Sequence, residues 1–167
     1  STIAIQAALL NRHITGLGQH LDMALLDVQV ATLANQGMNY LASGNIPKRY
    51  GNAHANIVPY QVFKGLDQDF IIACGNDTQF IQLCNAIGLP ELPNDPKFTR
   101  NADRIKHRTE ITNLLSAHFA TKTAEEWVSK IHAVKVPVGL INNLQQAFQE
   151  PQVIAREMLV EMKHPDR

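Results

Sequence analysis

The chain has 167 residues, 45% hydrophobic and 18% charged, a length that fits about one domain. So apolar a composition excludes a disordered acidic or basic tail. Fifteen Lys and Arg against fifteen Asp and Glu give a net charge of zero, which leaves no electrostatic footprint for nucleic acid or an anionic membrane.

Residue 1 is Ser, and the apolar pattern is already running at Ile3, Ala4, Ala7, Ala8 and Leu10. The expectation is an excised piece of a longer chain. Residues 2–14 read as a helix, stopped by Thr15-Gly16-Leu17-Gly18. A short strand is predicted over 20–24, with Leu21 and Met23 on one face and Asp22 on the other. Leu26, Val30, Leu33 and Leu41 then keep helical spacing to Gly44. The stretch from Asn45 to Asn52 is rich in turn formers and poor in apolar residues, and reads as a linker.

Beyond it, 60–64 and 70–74 are predicted strands joined by a turn around Leu66-Asp67-Gln68. Asn76 or Asp77 is placed to cap a helix carrying Phe80, Leu83, Cys84 and Ile87, closed by Gly88. Residues 90–96 read as loop. A longer helix is predicted over 101–121, with Ile111, Leu114, Leu115, His118 and Phe119 on its apolar face. Thr123 and Glu126 form a capping box ahead of Trp127, Val128 and Ile131. Residues 136–141 read as a third strand, 144–149 and 151–158 as short helices, and 158–163 as a last strand. The pattern is α+β.

The chemistry-bearing residues are sparse. Gly16-Leu17-Gly18 is part of a phosphate-loop pattern, but it follows a helix and precedes a strand, the reverse of the dinucleotide context. It reads as a helix stop. His107 and His118 lie eleven apart on one predicted helix, about 16 Å, too far to share a metal. No metal site is predicted. Cys74 and Cys84 are too few for a disulfide framework and read as buried small hydrophobes in a reducing compartment. Asp67 and Asp69 read as solvated carboxylates at a hairpin tip. Arg104 and Arg108, one turn apart, suit either a clamp on a phosphate or carboxylate or a structural ion pair. The absence of a spanning run or signal segment leads to the expectation of a soluble, cytoplasmic protein with neither nucleic acid nor membrane as partner.

The stretch from Arg49-Tyr50-Gly51-Asn52-Ala53-His54 through Ile57-Val58-Pro59-Tyr60 to Lys64 is more telling. With Ile71 to Asp77, Gln79-Phe80 and Leu83-Cys84, it resembles the class III CoA-transferase family. That group includes formyl-CoA transferase, carnitine CoA-transferase and α-methylacyl-CoA racemase. The resemblance continues through Asp95 to Phe98, Asn101, Arg104, Arg108, Trp127, Val136 to Gly139, Asn142-Asn143, Glu150 to Val153 and His164-Pro165. Upstream, Thr15 to Gln19 with Leu21-Asp22 resembles the end of the family's large domain. The segment from Asn52 to His54 and that from Ile57 to Tyr60 are most similar to the succinyl-CoA:dicarboxylate-type transferases.

The resemblance implies an architecture. Residues 1–44 would be helices ending a large CoA-binding α/β domain, 45–50 a linker, 51–142 a small domain with a mostly antiparallel sheet covered by helices, and 143–167 a return segment. It also implies a chemistry, in which an aspartate attacks the donor thioester, forms a mixed anhydride and releases CoA thiolate. That aspartate is expected N-terminal to Ser1, so Asp22 and Asp27 are not it, and the isolated chain is expected to be inactive. The substrates implied are an acyl-CoA and a carboxylic acid, with coenzyme A entering as a thioester substrate and no bound cofactor. A homodimer is implied. Gly51, Asn52, Ala53 and His54 fall near the family's glycine-rich loop over the active site. With one glycine remaining, they suggest a rigid wall of the acyl pocket more than a mobile lid. Where the family has Asp-Gly, this chain has Asp67-Gln68, which suggests a different turn type. A racemase of the same fold and a short non-catalytic binding or assembly module are the competing readings.

Overall fold

The computed structural model describes residues 1–163 and separates into two units, the first covering residues 1–49 and the second starting at Tyr50. The first unit is helical. Helix α1 (Thr2–Thr15) ends where Gly16 turns left-handed at φ 75° and its N–H donates to the Arg12 carbonyl at 2.8 Å. The strand expected over 20–24 does not form. A strand needs a neighbour for its backbone groups, and the described residues of this unit offer only helices.

The helical spacing from Leu26 to Leu41 resolves into two helices, α2 (Leu25–Ala31) and α3 (Ala34–Ser43). At the break the Thr32 hydroxyl donates to the Gln29 carbonyl at 2.7 Å, and Ala34 takes a φ of 46°. None of α1, α2 and α3 buries a residue, and Ile3, Leu10, Leu25, Leu26 and Leu41 stand exposed.

The second unit holds the core. Strand β1 (Tyr60–Lys64) pairs antiparallel with β2 (Asp69–Ala73), Phe63 facing Phe70, and β2 pairs antiparallel with β3 (Val138–Leu140), Ile71 facing Gly139. Phe70, Ile72 and Cys74 point inward at the two-residue period of a strand. They pack with Phe63, Phe80, Leu83, Leu115, Phe119, Trp127 and Ile131, and each large side chain contributes roughly 1.5–3 kcal/mol by leaving water. The rings of Phe63, Phe70 and Trp127 each meet Phe119 edge-on, at 5.1 to 5.4 Å between centroids. The architecture is α+β.

The helices over this sheet begin as their caps dictate. For α4 (Asp77–Ile87), Asn76 Oδ1 accepts the Gln79 N–H at 2.9 Å, and Gly88 closes the helix at φ 84°. Residues 90–96 include one 3-10 turn, Leu92–Asn94, with Leu92 buried. The long helix expected over 101–121 is two, α5 (Asn101–Lys106) and α6 (Arg108–Phe119). His107 separates them with φ −104° and ψ 24°, its Nδ1 3.0 Å from the Asp103 carbonyl. Thr123 and Glu126 complete the capping box of α7 (Ala124–Ala133). Asn143 and Gln146 make a second box at α8 (Leu144–Gln149), and Pro151 opens α9 (Pro151–Ala155).

The strand expected over 158–163 is absent, because no neighbouring strand receives it and its side chains Met158, Leu159, Val160 and Met162 are exposed. His164 and Pro165 of the resemblance lie outside the described residues.

The β1–β2 hairpin is tied to α7 in a way the sequence reading missed. Gly65 N–H donates to the Gln68 carbonyl at 2.9 Å, leaving Leu66 and Asp67 as a two-residue turn without a left-handed residue. Gln68 therefore fits where the family pattern has glycine. Asp67 Oδ1 accepts the N–H of Ala124 at 2.8 Å and of Gln68 at 2.9 Å. The carboxylate is exposed as expected and also caps the first turn of α7, where the Ala124 N–H holds its acidity stronger than usual. Gly65 permits this docking, since a Cβ there would meet the Ala124 nitrogen at 2.8 Å.

Candidate functional site

Gly51, Asn52, Ala53 and His54 form a tight loop that folds back along the outer edge of β1. Ala53 N–H donates to the Tyr50 carbonyl at 3.0 Å, and Gly51 makes the turn at φ 62° with open space around its Cα. Asn52 Oδ1 accepts the Val62 N–H at 3.1 Å, and His54 N–H donates to the Tyr60 carbonyl at 2.9 Å. Both partners sit on the side of β1 that faces away from β2. The loop thus covers backbone groups that an edge strand would leave to water.

The His54 ring is fixed as firmly as its backbone. It lies nearly flat on Tyr60, with centroids 5.2 Å apart and planes 20° from parallel. Its Nδ1 accepts the Asn56 N–H at 3.1 Å. An accepting Nδ1 carries no proton, so the ring proton resides on Nε2. No described residue hydrogen-bonds to that Nε2.

Three residues of α5 and α6 clamp the rest of the loop. Asn101 donates its Nδ2 to the Asn56 carbonyl at 2.8 Å, and its Oδ1 accepts the Val58 N–H at 3.1 Å. Arg104, fully buried, donates Nε to the Val58 carbonyl at 2.7 Å and Nη1 to the carbonyls of Phe98 at 2.8 Å and Thr99 at 3.3 Å. Its Nη2 pairs with Asp77 at 2.7 Å, and its guanidinium carbon stands 4.2 Å from the centre of the Phe80 ring. Arg108 donates Nη2 to the Ala55 carbonyl at 2.6 Å and lies over Tyr50 at 5.1 Å.

The ion-pair reading holds for Arg104 alone, since Arg108 leaves its Nη1 buried without a partner. Arg104 makes a structural ion pair, and both arginines grip backbone carbonyls. The spacing of Asn101, Arg104 and Arg108, three then four residues, was the legible sign that they share a helical face. What they hold could not be read from it, because the loop lies some fifty residues earlier.

Other candidates fall away from this cluster. Burial pushes the thiols of Cys74 and Cys84 up to about 12, so both stay protonated and unreactive. Asp22 and Asp27 are exposed in the first unit. His118 Nε2 is 2.8 Å from the Ile87 carbonyl, and its ring packs on Trp127. Among the described residues, no group of His, Cys, Asp and Glu is arranged to hold a metal ion, and no helix is long and apolar enough to cross a membrane.

The family model for CoA-transferase family III matches residues 1–167. The chain belongs to this family. It is 43% identical over 166 residues to the succinate–glutarate CoA-transferase of Agrobacterium fabrum, a match covering 99% of the chain and 42% of that protein. It is 41% identical over 162 residues to the succinyl-CoA:glutarate CoA-transferase of Mus musculus, covering 97% of the chain and 37% of that protein. The chain therefore spans about two fifths of these relatives' length. Among solved structures, a CAIB/BAIF family protein from Brucella suis matches with a TM-score of 0.72 and 47% identity, over 95% of this chain and 42% of that one. Within the family III chain, the loop from Gly51 to His54, held against β1, is the feature in which fixed backbone, a fixed ring and a free donor come together.

Proposed function

We propose that this chain is the C-terminal portion of an acyl-CoA transferase that moves CoA between an acyl-CoA and a dicarboxylic acid. The carrying observation is the 43% identity, over nearly the whole chain, to a succinate–glutarate CoA-transferase. In this reading an aspartate N-terminal to Ser1 attacks the donor's thioester carbonyl. The C–S bond breaks, CoA leaves as thiolate, and an aspartyl–acyl anhydride remains. The acceptor carboxylate attacks the aspartyl carbonyl, releasing the donor acid and forming a second anhydride. The thiolate then attacks the acceptor's acyl carbon, which yields the new thioester and restores the aspartate. A carboxylate suits the role because its acyl adduct is as activated as the thioester it replaces.

The part of this chain in that cycle is positional. The loop of Gly51, Asn52, Ala53 and His54 forms a wall of the acyl pocket, and its bonds to β1, with the clamp on the adjoining residues 55–58, support the view that this wall is rigid. A bound substrate then meets a surface already ordered, which lowers the entropy lost on binding. The exposed apolar side chains of α1 and α2 would be covered by the remainder of a large CoA-binding domain and by a second subunit in a cytoplasmic homodimer.

The test of the mechanism is chemical trapping in the longer protein. Incubation with succinyl-CoA without acceptor, followed by hydroxylamine, should convert one aspartate upstream of Ser1 to a hydroxamate detectable by mass spectrometry. Labelling of a residue within 1–167 instead would overturn the assignment of the nucleophile.

A further inference from the structure

We propose that the Nε2–H of His54 is the donor that recognises the distal carboxylate of a dicarboxylic acceptor. This rests on the reading of the loop as a wall of the acceptor's pocket, and it assigns one atom within that wall a role in specificity.

The argument begins with which donors are already engaged. Arg104 is fully buried, and its Nε, Nη1 and Nη2 are all committed. Arg108 holds the Ala55 carbonyl with Nη2 and lies over Tyr50, and its Nη1, though unpaired, is buried out of reach of solvent. Asn52 is exposed, accepts the Val62 N–H with its side-chain oxygen and keeps its Nδ2 toward water. His54 differs. Its backbone N–H and its Nδ1 are both engaged within the loop, and these contacts fix the ring and leave Nε2–H as its one unpaired donor.

The ring is half-buried, so a bond to Nε2 would form in partly screened surroundings. Stacking on Tyr60 removes the freedom that a histidine side chain ordinarily loses on binding. A donor held in this way accepts a carboxylate oxygen at little cost in ordering. An acid ending in a methyl group would leave the same N–H without a partner, which disfavours it. The ligand class that matches is a short acid with a second carboxylate, such as glutarate.

The experiment compares His54→Phe and His54→Gln in the full-length transferase. Phe keeps a flat ring over Tyr60 and removes the donor together with the Nδ1 that accepts from Asn56, a loss both acids would feel, whereas Gln returns an N–H near the Nε2 position. Glutarate serves as acceptor and pentanoate, which lacks the distal carboxylate, as competitive inhibitor. The quantity read is kcat/KM for the acceptor, which in a two-step exchange is independent of the donor half-reaction.

His54→Phe is expected to lower kcat/KM for glutarate about 10- to 100-fold, the usual worth of a hydrogen bond to a charged group. The inhibition constant of pentanoate should stay within about twofold, which also shows that the site is folded, and Gln should recover part of the loss. An equal loss for glutarate and pentanoate would overturn the role of Nε2–H while leaving the loop as a pocket wall. No change for either acid would overturn both.

Discussion

Replacing Arg104 with Met tests whether the clamp holds the loop and the core together. Met fills most of the volume, so the cavity left behind is small. Four hydrogen bonds go, and the carbonyls of Val58 and Phe98 remain in a dry setting without donors. Each unsatisfied buried carbonyl costs about 1–3 kcal/mol. Asp77, whose side chain is half-exposed, is rehydrated and adds about 1 kcal/mol or less. Replacing a whole buried ion pair with apolar residues is often neutral, but here the carbonyl partners stay, so that relief does not apply. The sum is about 4 kcal/mol.

Trp127 is the chain's one tryptophan and is almost fully buried, so its fluorescence reports unfolding of the second unit alone. With a urea dependence of about 1.5–2 kcal/mol per molar for a unit this size, the midpoint should fall by about 2 M. Asp77→Asn should move it by about 0.5 M or less. A shift for Arg104→Met no larger than that of Asp77→Asn would refute the clamp, since the carbonyl contacts would then contribute nothing.

Gly65→Ala places a Cβ 2.8 Å from the Ala124 nitrogen and 3.0 Å from its Cα, backbone that cannot swing aside. A loss of about 2–3 kcal/mol is expected by the same urea assay. Asp67→Asn should be destabilising at neutral pH, with the gap to wild type closing in acid. The sign follows because the native carboxyl titrates below its usual 3.8, so its contribution is complete above the unfolded value and fades as pH falls through the native one. Urea midpoints at pH 7 and pH 3 check this. Cys74 and Cys84 should resist a thiol reagent at pH 8 in the native protein and react together on unfolding, as measured by absorbance against urea.

Much of the second unit was legible in the sequence because local signals there agree with their surroundings. The spacing of Phe70, Ile72 and Cys74, the Thr123 and Glu126 box, and Gly88 each specify one local geometry, and the packed core keeps it. The failures share a cause. The alternations over 20–24 and 158–163 are as good as that of β2, but a strand exists only with a partner, and pairing is a long-range property. The expected helix over 101–121 breaks at His107, whose backbone leaves the helical range while its Nδ1 stands 3.0 Å from the Asp103 carbonyl, a choice its residue type alone does not announce. The resemblance pointed to Gly51, Asn52, Ala53 and His54. The clamp from Asn101, Arg104 and Arg108, and the Nδ1 contact that decides the His54 tautomer, required three dimensions.

The most direct measurement of the proposed function is a transfer assay on two proteins in parallel. The 167-residue chain and a longer protein carrying the upstream region are each incubated with succinyl-CoA and glutarate, and glutaryl-CoA is followed by mass spectrometry. The longer protein should form glutaryl-CoA, and the 167-residue chain should form none above a denatured control. Glutaryl-CoA from the short chain, or none from the longer protein, would contradict the account.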